Sequence, residues 1–153
     1  MESIKELEKY LEDEYYSFAE IAIGKHQQAV EGLVIEKNGN VYDFCASERG
    51  RKTVIRSFSK EQDLVEYALK VLSAKKWYKA HLVAWVWTES EIHQAEQELI
   101  NNDIGFERND IPNYSQGRTA YRIFVFGRDV AKLTEFKKKY YRKRDLLMVV
   151  FER

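Results

Sequence analysis

The residue types that most often do chemistry in proteins are few in this chain and lie far apart in its sequence. Its three histidines are His26, His81 and His93, and its one cysteine is Cys45. These residues lack the short spacings of a zinc site, and a lone cysteine with scattered histidines is a weak indication of a thiol enzyme. We therefore predict no metal site and no cofactor, and we interpret Cys45 as a small apolar residue of a strand.

Glycines and carboxylates, which can build phosphate and acid–base sites, form no catalytic pattern either. The seven glycines are isolated from one another and make neither a G-x-G-x-x-G nor a Walker motif. The 25 acidic residues are so numerous that no single pair of carboxylates stands out. Because a catalytic site needs a reactive group beside an orienting partner, we predict that the protein is not an enzyme.

Two acidic segments are candidate surfaces for a basic partner. Residues 2–20 hold seven acids against Lys5 and Lys9, and residues 88–103 hold five acids without any Lys or Arg. An ordinary solvated helix face would have the same composition, and acids are also favoured in the first turn of a helix. Both interpretations of these segments stay open from the sequence.

The aromatic segment KKWYKAHLVAWVW, at residues 75–87, is a second candidate surface. Trp77 and Tyr78 stand at the end of a predicted element, where an exposed ring could anchor a partner. Trp85 and Trp87 share one face of a predicted strand, and we interpret them as core residues.

The third candidate surface is basic and lies near the end of the chain. The run KKKYYRKR at residues 137–144 has six cations in eight positions, with Tyr140 and Tyr141 between them. Cations at the carboxyl end of a helix are stabilised by the helix dipole by about 0.3–1 kcal/mol each at low salt, so a solvated helix end explains the run. The alternative is a nucleic-acid-binding module on a basic helix at 130–144. Its contacts would be Lys137, Lys138, Lys139, Arg142, Lys143 and Arg144.

Length and composition indicate one folded domain. The 153 residues are 44% hydrophobic, and the 25 basic and 25 acidic residues cancel. A chain of this length buries roughly two-thirds of the surface that it exposes when unfolded. Because the net charge is zero, no global field would draw the molecule onto nucleic acid or a membrane. We expect a cytoplasmic protein, since the amino terminus has no apolar signal segment and no stretch reaches the length of a membrane span.

Local patterns in the first half predict helix, strands and helix. Apolar spacing and a Ser3–Glu6 capping box predict a helix over 4–14. Asn38-Gly39 predicts a two-residue hairpin turn that sets Ile35 opposite Tyr42. Further predictions are a strand within 18–23, a strand over 52–58, and a helix over about 60–75 that begins with a Ser59–Gln62 capping box.

Local patterns in the second half of the sequence also predict helices and strands. AHLVAWVW at 80–87 is rich in β-branched and aromatic residues, which favours a buried strand over a continued helix. Further predictions are a helix capped by Thr88 and ended near Gly105, an exposed loop at 109–118, a strand over 119–126, a helix capped by Asp129, and a last buried strand, LLMVVF. The sequence therefore predicts one α+β domain over 1–153, with a mixed, mostly antiparallel sheet of about seven strands and about four helices packed on it.

One part of the chain resembles a known family. ERG at 48–50, a strand that ends at Phe58, and the helix SKEQDLVEYALKVL are similar to small immunity proteins encoded beside WXG/LXG-type polymorphic toxins of Gram-positive bacteria. The resemblance implies a cytoplasmic bacterial protein without catalytic activity, which blocks a cognate toxin domain by covering its active site. It implies no particular binding residues.

A toxin that is a nuclease would present a basic cleft, and acidic side chains opposite that cleft would speed association. On this hypothesis Glu12, Asp13 and Glu14, or Glu91 and Glu98, take the place of phosphates. Tyr15, Tyr16 and Trp77 are the candidate aromatic anchors. A nucleic-acid-binding module is the second hypothesis, and a small enzyme that uses Cys45 is the third.

Overall fold

The computed structural model of the protein describes residues 1–29 and 31–144. Helices and strands are mixed along the chain, which confirms the predicted α+β class. The chain divides into two compact units, Met1–Lys79 and Ala80–Arg153. Each unit contains its own four-stranded sheet, whereas the sequence predicts a single sheet. None of the helices within the described residues is long and apolar enough to cross a membrane.

The first unit is one sheet with two helices on one of its faces. The strand order is β1-β2-β3-β4, and every pair is antiparallel except β1 with β2. Its elements are α1 (Ile4–Asp13), β1 (Ile21–Ile23), β2 (Gly32–Asn38), β3 (Val41–Glu48), β4 (Arg51–Phe58), α2 (Glu61–Ser73) and a 3-10 turn (Lys76–Lys79).

The core of the first unit forms because one face of each helix and one face of the sheet are apolar. Leu7 and Leu11 of α1 lie one helical turn apart and are both buried, as are Leu64 and Leu72 of α2. They pack against the alternate residues of the strands, of which Phe44 is the largest fully buried side chain. This arrangement leaves the outer edge of the sheet, at β4, away from the core.

The hairpin register differs from the predicted one. Gly39 and Asn40 form the two-residue loop, so Asn38 pairs with Val41 and Ile35 pairs with Phe44 instead of Tyr42. Gly39 has φ 63° and is the first loop residue, the position at which a type II′ turn requires glycine. Each β2 residue pairs with a β3 residue two positions later than predicted. Because side chains alternate between the two faces of a strand, the apolar side chains stay on the predicted face.

Helix ends in the first unit confirm one predicted cap and contradict another. The Ser3 hydroxyl accepts a hydrogen bond of 3.1 Å from the amide of Glu6, which begins α1 as predicted. The predicted cap of Ser59 with Gln62 is wrong, because the residue at the cap of α2 is Lys60, without a side-chain cap bond.

The second unit also places its helices on one face of a sheet. Within the described residues, β8 is the central strand, with β5 along one side and the short β6 and β7 along the other. The predicted strand at 80–87 is confirmed. The elements are β5 (Ala80–Val86), α3 (Glu89–Asn101), β6 (Glu107–Arg108), β7 (Ile111–Ser115), β8 (Arg118–Phe126), a 3-10 segment (Gly127–Lys132) and α4 (Thr134–Tyr140).

Four predictions for the second half need correction or lie outside the described residues. The predicted loop at 109–118 contains a strand, because β7 pairs with the start of β8. Asp103, with φ 57°, takes the left-handed position after α3 that was predicted for Gly105. The predicted cap at Asp129 lies in the 3-10 segment, and α4 begins only at Thr134. The predicted strand LLMVVF lies outside the described residues.

Candidate functional site

The three acids at the end of α1 all have cationic neighbours. Glu12 lies 3.1 Å from the Lys25 ammonium, and Asp13 forms a 3.3 Å pair with a lysine one turn earlier. Glu14 lies 4.0 Å from the ammonium of Lys79. These side chains are on one end of one helix, as the sequence predicts, but they are not a set of unpaired anionic groups.

Glu12 also joins α1 to the turn after β1 through a histidine. Its carboxylate lies 2.8 Å from Nε2 of His26, and the His26 ring stacks on Phe18 with a centroid distance of 3.7 Å. The hydrogen bond from His26, followed by that from Lys25, lowers the pKa of the Glu12 carboxyl below its ordinary value. The sequence analysis did not identify this cluster of Glu12, Lys25 and His26, because Glu12 lies in α1 and the two other residues lie after β1.

Glu12→Gln is expected to reduce stability at neutral pH and to reduce the loss of stability in acid. A carboxyl whose pKa is lowered by folding stabilises the protein above its unfolded pKa, and this contribution disappears as the pH falls through the folded pKa. Denaturant unfolding from about pH 7 down to about pH 3 would measure both effects. Asp13→Asn is the control, since its exposed pair with Lys9 contributes little. Equal pH profiles for Glu12→Gln and the unmodified protein would contradict the role of the cluster.

The predicted aromatic anchors have different environments. Tyr16 is buried in the core, with its ring centroid 6.4 Å from that of Tyr10 and with the Lys79 ammonium over the ring, so it does not present the accessible ring that an anchor needs. Tyr15 is half-buried and has φ 57° at the turn after α1. Trp77 is an exposed side chain in the 3-10 turn. Trp77 therefore keeps the exposure that an anchor needs.

The acidic and basic candidate surfaces of the second unit meet each other. The carboxylate of Glu98 lies 3.1 Å from the Lys139 ammonium and accepts a 2.9 Å hydrogen bond from the Tyr140 hydroxyl. Hydrogen bonding to Glu98 raises the pKa of the Lys139 ammonium. Glu91 likewise lies 3.6 Å from the guanidinium of Arg142. These contacts attach α4 and Arg142 to α3, so charges of both surfaces have a structural role.

The basic run is not one continuous helix end. Lys137, Lys138 and Lys139 belong to α4, which ends at Tyr140, whereas Arg142, Lys143 and Arg144 follow the helix. Lys138 pairs with Glu135 at 3.2 Å, and Lys137 lies over the Tyr141 ring. The ammonium of Lys143 lies 4.7 Å from the centroid of the Trp85 ring. The helix-dipole explanation therefore applies to the first three cations alone.

The strand β4 is an exposed sheet edge that the sequence analysis did not identify as a site. It runs over eight residues, and all of them except Phe58 are exposed. Val54 and Ile55 are 47% and 50% exposed, although both are apolar. In the part of the chain that the structure describes, β3 is the only strand that pairs with β4. Its outer backbone groups therefore form a template on which another strand could pair.

Two local features shape this edge. Ile55 is a bulge residue, since Arg56 pairs with Phe44 and Val54 pairs with Cys45. A recess of about 400 Å³ lies beside the first half of β4. Its lining residues are Ala46, Glu48, Arg49, Arg51 and Thr53. The sequence signal for an edge was present, because Arg51, Lys52 and Arg56 are the kind of charges that protect edge strands.

The lone cysteine is not placed as a reactive thiol, and the described residues form no metal-ligand cluster. Cys45 is buried, and burial raises the pKa of its thiol, which disfavours the nucleophilic thiolate. No three His, Cys, Asp or Glu side chains among residues 1–29 and 31–144 converge as metal ligands. The geometry of Cys45 is that of the predicted small apolar residue in a strand.

Comparison with known proteins adds no relative. No protein-family model matches the chain, and no curated protein and no solved structure matches it with significance.

Proposed function

We propose that this chain is a cytoplasmic immunity protein, which binds a cognate toxin domain one-to-one and blocks it without catalysis. The observation that carries the proposal is the exposed edge of β4, with Val54 and Ile55 at its centre. The resemblance of the segment around ERG and α2 to toxin-immunity proteins supplies the kind of partner.

Strand addition explains how such an edge would bind. A partner segment that pairs with β4 satisfies the outer N–H and C=O groups, and these main-chain hydrogen bonds give affinity. The apolar pair Val54 and Ile55 adds burial at the centre of the contact, where binding energy is usually concentrated. The recess beside Arg51 and Thr53 offers room for one partner side chain, which would give specificity.

The proposal changes the role of the acidic residues. Glu12, Asp13 and Glu14 are paired with Lys25, Lys9 and Lys79, so their local fields are partly cancelled. The corresponding pairs of Glu91 and Glu98 link α3 to Arg142 and to α4, so these carboxylates also have cationic neighbours. We assign the main contact to β4, with Trp77 as a secondary candidate, and the carboxylates at most contribute steering at low salt.

Co-expression tests the proposal. The proposal requires an adjacent reading frame that encodes a toxin-like carboxyl-terminal domain, and we expect this protein to restore growth of cells that produce that domain. The purified pair is expected to elute as a one-to-one complex by light scattering. Continued toxicity together with separate elution of the two proteins would refute the proposed function.

A further inference from the structure

An aromatic cluster covers the face of the second sheet that its helices leave open. Trp85 and Arg122 are directly opposite in the β5–β8 register, so they lie on the same face. Their neighbours Ala84, Val86 and Ile123 point the other way and are buried in the core with α3 and α4. The cluster therefore has no part in the helix-packed core of this unit.

The cluster consists of three aromatic rings, those of Trp85, Trp87 and Tyr114. The Tyr114 ring of β7 lies 5.1 Å from the Trp85 ring, and the Trp87 ring lies 6.0 Å from it. Trp87 and Tyr114 are 5.9 Å apart, which closes the triangle. Tyr114 is 42% exposed and Trp87 is half-buried, whereas Trp85 is buried, so the accessible aromatic surface of the cluster is mainly the Tyr114 ring.

Two cations flank the same rings. The guanidinium of Arg122 lies 5.5 Å from the centroid of Trp85, and the ammonium of Lys143 lies 4.7 Å from it. Arg122 is fixed by hydrogen bonds of 2.9 and 2.6 Å to the backbone and side chain of Asn109. The surface thus combines aromatic rings with positive charge, one cation rigid and one on a flexible stem.

The indole nitrogen of Trp85 is a buried donor without an acceptor among the described residues. The Trp85 side chain is 4% exposed, and its Nε1 has no hydrogen-bond partner among the residues that the structure describes. A buried donor without an acceptor is destabilising, and such a group in a folded protein needs an explanation, such as a bound water, an ion or a functional role. By contrast, Nε1 of Trp87 donates to the carbonyl of Arg142 at 2.9 Å.

We propose that this aromatic–cationic cluster binds single-stranded nucleic acid. A base stacks on the exposed Tyr114 ring, as bases do on aromatic side chains of open sheet faces, and Lys143 contacts the adjacent phosphate. The site differs from the basic helix predicted from the sequence, since it depends on rings of β5 and β7 and on the chain after α4.

Single strands fit this surface better than duplexes or acidic peptides. In a duplex the base faces are stacked on each other and cannot reach Tyr114. An acidic peptide would match Lys143 in charge but would leave the aromatic rings without a planar partner. The inference is independent of toxin inhibition, because β4 and this cluster belong to different units.

Fluorescence anisotropy of a labelled 12-nucleotide oligo-uridine with the full chain tests the inference. We expect binding at about 0.05 M salt, weakened at about 0.15 M because phosphate contacts release counterions. Tyr114→Ala should weaken binding about ten-fold, whereas Tyr114→Phe, which keeps the ring, should retain it. Lys143→Ala should weaken binding and flatten the salt dependence, whereas Lys138→Ala, on the Glu135 side of α4, should change it much less.

Three results would overturn the inference. The first is no binding at about 0.05 M salt up to about millimolar protein, far weaker than non-specific nucleic-acid binding by proteins usually is. The second is equal affinity of the unmodified protein and Tyr114→Ala. The third is equal competition by a duplex or by polyglutamate, which would show that the cluster responds to negative charge alone.

Discussion

Replacing Gly32 with alanine is expected to destabilise the first unit by at least about 3 kcal/mol, a large fraction of the stability of a typical domain. Gly32 has φ 132°, a region that side chains rarely adopt, and an added Cβ would overlap the backbone carbonyl of Glu20. That carbonyl accepts a 2.9 Å hydrogen bond from the amide of Leu33, where β1 pairs with β2. Because the obstacle is backbone, relief would require β1 to separate from β2. Urea unfolding measures the change.

Gly39→Ala is the matched control for this prediction. Gly39 also has a positive φ, 63°, but a Cβ there would meet nothing within 4 Å. The Gly39→Ala variant therefore shows the effect of backbone strain alone, which we expect to lower the free energy of unfolding by about 1 kcal/mol. If the two substitutions were equally destabilising, the steric conflict at Glu20 would have no role and the prediction would be wrong.

On the proposed function, the double substitution Val54→Glu and Ile55→Glu is expected to weaken binding of the toxin domain at least about thirty-fold. Two carboxylates at the centre of β4 would have to be buried without partners when a strand adds to the edge. Both side chains are exposed in the free protein, so the stability of the fold should change little. Calorimetric titration with the toxin domain measures the affinity, and circular dichroism checks the fold.

Val41→Glu is the control for the surface charge. Val41 is also exposed and apolar, at 38%, but it lies at the start of β3 beside the hairpin turn. We expect unchanged affinity for this variant. Loss of binding in Val41→Glu equal to that in the β4 variant would mean that added negative charge alone opposes the toxin, which would remove the support for strand addition.

Local features of the fold were predictable because they depend on neighbours in sequence. A helix cap of this kind needs a hydroxyl side chain that accepts a hydrogen bond from the amide three residues later. Ser3 accepts such a bond from Glu6, and Thr88 accepts one from Glu91. The hairpin at Gly39 was predicted for the same reason. Its register was not, because type I′ and type II′ turns place glycine at different loop positions and the sequence Asn-Gly-Asn allows both.

The division into two sheets and the candidate sites depend on contacts between distant residues. Glu98 and Lys139 are far apart in sequence, so the sequence presented an acidic and a basic surface where the structure has an ion pair. The exposure of β4 follows from its place at the end of the strand order. Its charged side chains were a local signal of an edge, but the choice of strands that pair depends on the whole sheet. Tyr114 was assigned to a loop because Pro112 and Gly117 indicated turns around it.

Hydrogen–deuterium exchange of the toxin complex tests the central claim most directly. In the free protein, the outer amides of β4 face no other strand of the described chain and should exchange quickly. If a toxin strand pairs with this edge, peptides that cover residues 51–58 should become strongly protected, while those that cover the exposed face of α1 should change little. Protection confined to other segments, with β4 exchanging as fast as in the free protein, would contradict binding through β4.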